Sequence, residues 1–199
     1  MSQQSELIFQ RIRNLLSSPG NIKKILIPVR APSVTRINLA VLKVLLSERN
    51  ERGIYLTVDR PDKHVLEILE KQNIATPSET SSLPEPPMRR IVVAPGVFTP
   101  AVFIDEMFLR LSDARSRPGL DAELRGMNFM MLDNLSTLSA FNGPMGIATS
   151  FERTSAFLGS YPHFRFIAVA ARDTLAALRP AAQGFFDLEA GIQDDWLVG

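Results

Sequence analysis

The chain has 199 residues, 45% of them hydrophobic and 22% charged, enough for one substantial core. Its 22 basic and 21 acidic side chains leave a net charge of +1, so no global field favours nucleic acid or an anionic membrane. With no cysteine, disulfides and thiolate metal sites are excluded.

Ser5 to Ser17 carries Ile8, Ile12, Leu15 and Leu16 at helical spacing, and Pro19-Gly20 stops it, so residues 1–20 are expected to hold an amphipathic N-terminal helix. A strand follows at Ile25–Ile27, a helix from about Ser33 to Asn50, and a strand over Gly53–Val58 whose nearly continuous apolar character suits burial on both faces. The next helix spans about Lys63–Gln72. Residues 76–89 read as an exposed Pro-rich connection: Thr76–Pro87 alone holds four prolines and four further serines or threonines. Beyond it come a strand at Arg90–Ala94, a helix from Pro100 to about Arg115, and a strand at Phe129–Asp133. A helix at Gly146–Ser160, a strand at Phe164–Ala170, a short helix at Asp173–Leu178 and a last strand at Gly184–Leu188 close the chain. Such strand–helix alternation predicts one three-layer α/β domain over residues 1–199, its sheet mostly parallel with helices on both faces.

The run from Lys24 to Arg36 has the strand–loop–helix layout that cradles phosphates. Laid over Pro28 to Thr35, the pattern G-x-x-x-x-G-K-[ST] keeps only Thr35: Pro28 and Ser33 replace the glycines and Val34 the lysine. Pro28 and Pro32 have no N–H to offer an anion. Ser33, Thr35 and Arg36 still open a helix, whose free amides could hold an anion weakly, although Ser33 also reads as a plain N-cap. Asp133 ends an apolar strand at the edge where open α/β sheets bind ligands. It could meet Mg²⁺ there, or cap the turn at Leu135 and Ser136. Asp59 and Arg60 end the second strand as a candidate acid with a neighbouring cation, or as a solvated turn. His64 and His163 lie apart with no carboxylate at zinc spacing, so no resident metal is expected.

Taken in order, these parts resemble the RecA/KaiC-like ATPases, especially compact archaeal single-domain members. Phe129 to Leu138, F-M-M-L-D-N-L-S-T-L, is similar to their Walker B strand, and Gly53–Asp59 to the strand that ends in the catalytic acid. The resemblance spans about residues 20 to 188 and lacks an intact Walker A motif; Arg60 stands in place of the second acid. It implies a RecA-like topology and a non-hydrolysing relative, a regulatory or assembly module in signal transduction. No ATPase activity and no obligate cofactor are expected, with ATP and Mg²⁺ held at low affinity if at all. The alternative is a weak nucleotide or phosphometabolite binder with a remodelled loop; a third reading is an enzyme of another class using Asp59 and Asp133. Partners implied are further copies of the chain or a paralogous RecA/KaiC-like ATPase. Apolar surface for this is expected from Phe98, Phe103, Met107 and Phe108 and from the N-terminal helix. No membrane partner is expected: no segment nears roughly 18 uninterrupted apolar residues, and the N-terminus lacks a signal-peptide shape, so the expected location is cytoplasmic.

Overall fold

The structure is a computed structural model describing residues 3–17, 21–58, 62–74, 91–94, 122 and 124–192. Apolar runs become strands: β1 (Lys24–Val29), β2 (Gly53–Leu56), β3 (Ile91–Ala94), β4 (Phe129–Leu132), β5 (Arg165–Ala171) and the two-residue β6 (Leu188–Glu189). They form one sheet in the order β3-β2-β4-β5-β1-β6, and every pairing is parallel. Strands from both sides of the Pro-rich connection therefore share a single sheet. The connection itself, the expected helix after Pro100 and the Phe98, Phe103, Met107 and Phe108 group lie outside the described residues.

Side-chain alternation along the strands divides the core into two layers. One face presents Ile25, Ile27, Tyr55, Phe129, Met131, Ile167 and Val169 to helices α1 (Gln3–Leu16), α2 (Val34–Leu42) and α3 (Asp62–Lys71). The other presents Leu26, Ile54, Leu56, Met130, Leu132, Phe166 and Ala168 to α4 (Leu135–Ser160) and α5 (Leu175–Ala182). This is the expected three-layer architecture. At Gly53, opposite Phe129 in the register, a Cβ would come within 2.6 Å of the Phe129 ring, so only glycine lets that ring lie across β2.

Pro28 sits inside a strand flanked on both sides without breaking it. Asp187 N–H donates to the Lys24 carbonyl and Ala190 N–H to the Leu26 carbonyl, so even-numbered residues of β1 turn their backbone groups toward β6. By Pro28 that partner strand has ended, and the missing donor costs no ladder bond.

Three boundaries differ from expectation. The Ser33–Asn50 helix is a 3₁₀ turn at Ala31–Ser33, an α-helix to Leu42 and a π turn at Lys43–Glu48. The wider π turn lets the consecutive Val44, Leu45 and Leu46 all lie buried, and Asn50 then leaves the helix at φ 54°. The helix expected over Gly146–Ser160 is present, and a separate stretch of helix from Leu135 precedes it, divided from it at Gly143 (φ 65°, ψ 177°) before Pro144. The last strand shrinks to Leu188–Glu189. Within α1, Ile8, Ile12, Leu15 and Leu16 are buried inside the chain rather than offered to a neighbour.

Candidate functional site

The carboxyl edge of the sheet collects the turns after β1, β2, β4 and β5. After β1 the chain extends through Arg30 and closes at once: Ser33 N–H donates to the Arg30 carbonyl at 2.8 Å, and Val34 N–H to the Ala31 carbonyl. Pro28 and Pro32 contribute no donor. Of the amides that a phosphate loop would aim at an anion, two are absent at the prolines and those of Ser33 and Val34 are engaged in the turn itself. Ser33 stands at the N-cap position but does not cap. Its side chain is fully buried and its Oγ has no hydrogen-bond partner, which overturns the reading of Ser33 as a capping residue. The 3₁₀ turn places Ser33 at φ −91°, ψ −12°, outside the extended backbone of an ordinary N-cap. Thr35 is half-buried and Arg36 exposed on the side of α2 that faces α1.

Asp133 is 4% exposed, and its surroundings follow from register. Leu56 pairs with Leu132, so one step further on Thr57 lies beside Asp133, whose N–H donates to the Leu56 carbonyl. The Thr57 hydroxyl donates to Asp133 Oδ2 at 3.0 Å and Val58 N–H to Oδ1 at 2.8 Å. Asn38 of α2 donates through Nδ2 to the Asp133 carbonyl at 2.8 Å. The carboxylate therefore ties β4 to the end of β2. Capping falls to Asn134, whose Oδ1 accepts from Thr137 N–H at 3.1 Å. Asp59 and Arg60 lie outside the described residues.

A second tie joins α4 to the end of β5. Ala171 N–H donates to Ser136 Oγ at 2.7 Å, Ser136 and Thr174 hydroxyls meet at 2.5 Å, and Thr174 returns a hydrogen bond to the Ala171 carbonyl. With the Thr174 proton committed, Ser136 must donate to Thr174, closing a ring of three hydrogen bonds. Asn38, Thr57 and Ser136 are the residues that motif matching passes over. Their signal is a polar side chain at an inward position: Asn38 falls among Val34, Ile37, Val41 and Leu42, all buried.

Among the described residues the usual grip on a magnesium nucleotide is missing. The loop has no lysine and two prolines, and both oxygens of Asp133 accept hydrogen bonds from β2's end. Ser33 is enclosed and Arg36 faces α1, so they do not converge with Asp133 on one open position.

The fold belongs to the class of parallel three-layer α/β sheets. A KaiC-like protein from the hyperthermophilic archaeon Pyrococcus horikoshii OT3 superposes on it with a TM-score of 0.50, over 88% of this chain and 74% of that one, at 11% identity. At that identity the likeness shows the fold alone, and the fold is KaiC/RecA-like. No family model matches the chain, and no curated protein does. Among the described residues no helix is long and apolar enough to cross a membrane.

Proposed function

We propose that this chain is a non-hydrolysing RecA/KaiC-like module with a regulatory or assembly role, a pseudo-ATPase in signal transduction. The observation that carries the reading is the turn after β1. The Ser33 and Val34 amides close a 3₁₀ turn, two prolines replace further donors, and Val34 stands where a lysine would neutralise phosphate charge. Losing several charge-assisted hydrogen bonds, at about 1.5–3 kcal/mol each, weakens nucleotide binding by several powers of ten. The fixed carboxylate of Asp133 supports the same reading, because recruiting it to a metal would cost the Thr57 and Val58 bonds.

A module of this kind acts through its surfaces, by pairing with its own copies or with a paralogous RecA/KaiC-like ATPase. The apolar face of α1 is already used within the chain, so the pairing surface lies elsewhere. Calorimetry with millimolar ATP and Mg²⁺ tests the nucleotide half of the proposal: no heat of tight binding is expected, and a low-micromolar dissociation constant would overturn it. Light scattering at high micromolar protein tests the other half. A monodisperse monomer that also fails to bind the paralogue removes the assembly role.

A further inference from the structure

A cavity of about 410 Å³ opens on the α1 side of α2, away from the Asp133 tie. Along α1, Ile8, Ile12 and Leu16 are buried against the core, while Ser5 and Phe9 border the opening beside α2. Toward its N-terminus α1 leaves space above α2. The walls are apolar: Ile8 and Phe9 of α1, Ile37, Leu39 and Ala40 of α2, and Ile74 after α3. Two cations, Arg36 and Lys43, lie two turns apart on one helical face, Ser5 and Gln72 add further polar lining, and no acid is among these described lining residues. Lys43 Nζ lies 5.3 Å from the centroid of the Phe9 ring, which holds the ammonium at the rim. The nearby acids Glu6 and Glu48 are both paired with Arg13, at 2.7 Å each.

We propose that this cavity binds a small amphipathic anion, a carboxylate carrying an aliphatic chain. The volume falls in the range of small-molecule sites, roughly 300–1,000 Å³. The chain rests on Phe9 and Leu39, the half-buried members of the wall, removing apolar surface from water, and the carboxylate faces Arg36 and Lys43. Amphipathic cations meet like charge at the rim. The proposal does not depend on the nucleotide reading, since it uses none of the residues at the Asp133 tie.

Calorimetry of the full chain with decanoate, decan-1-ol and decyltrimethylammonium separates the contributions. Decanoate is expected to bind saturably at one site, the alcohol about tenfold more weakly or worse, and the cation not at all. Lys43→Gln and Arg36→Gln each weaken decanoate about tenfold. Ala40→Leu fills the cavity and weakens it further, with thermal melts reporting that each variant is folded. If Ala40→Leu unfolds the chain, the two surface-charge variants decide. Absence of decanoate binding, equal binding of the cation, or decanoate affinity unchanged in both charge variants overturns the proposal. So does a dimer, seen by light scattering, whose formation excludes decanoate: a second copy is then the occupant.

Discussion

The turns after β1 and after β4 stand at the same edge of the sheet, each leading a buried strand into a helix, yet their polar residues have opposite fates. After β4, Asp133 and Asn134 are both employed: one ties the strand to Thr57 and Val58, the other caps α4. After β1 the backbone closes on itself and Ser33 is left buried with its hydroxyl unpartnered. Position in a fold therefore does not carry chemistry by itself. Asp133 serves here as a structural tie, while the loop after β1 is a closed turn.

The contrast is sharpest in its energetic consequences. Asp133→Ala should be the most damaging change, at roughly 2–4 kcal/mol in urea unfolding, because a charged acceptor disappears from beside a buried hydroxyl and a backbone amide. Were the loss below about 0.5 kcal/mol, the ordinary range of a surface change, Asp133 would not be a tie at all. Next, Asn134→Ala should cost about 1 kcal/mol through the lost cap. Ser33→Ala, at the equivalent place after β1, should cost nothing and gain up to about 1 kcal/mol by removing an unpartnered hydroxyl. Equal losses at Asn134 and Ser33 would erase the distinction between the two turns.

The smallest effect lies away from both turns and serves as their control. Arg13 of α1 grips Glu48 of the π turn through Nε and Nη2, at 2.7 and 3.0 Å, and holds its carboxyl below the usual range. Native Glu48 then binds fewer protons than unfolded Glu48, whose pKa is about 4.3. Its contribution is present above that pH and is lost as pH falls through the lower native value. For a pair about a third exposed (33% and 31%), it amounts to at most about 1 kcal/mol. The stability difference between wild type and Glu48→Gln should therefore be visible at pH 7 and fade on acidification. A difference that grows toward low pH contradicts this assignment.

The fold class was legible in the chain because β1, β2, β3, β4 and β5 are short apolar runs with helix-patterned segments between, and burial on two faces demands such runs. The Asp133 strand, the N-terminal helix and the parallel sheet follow from those local patterns. The first half of α4 was not legible: Gly143-Pro144 reads as a break, and only packing of Leu135 and Leu138 against the sheet shows that helix precedes it. Nor could periodicity foresee the π turn, which arises where three consecutive apolar residues all face inward.

What the sequence by itself determined was the absence of phosphate-gripping residues from the segment after β1, since proline lacks an N–H and valine a charge in any conformation. Where Asp133 would point was decided only by tertiary structure. Its partners Thr57 and Val58 are more than seventy residues away, and they meet it because β2 and β4 pair with Leu56 beside Leu132. The same holds for the cavity beside α2. Arg36 and Lys43 share one face by helical spacing, but the apolar wall opposite them belongs to α1 and to Ile74, brought there by burial of those elements against one side of the sheet.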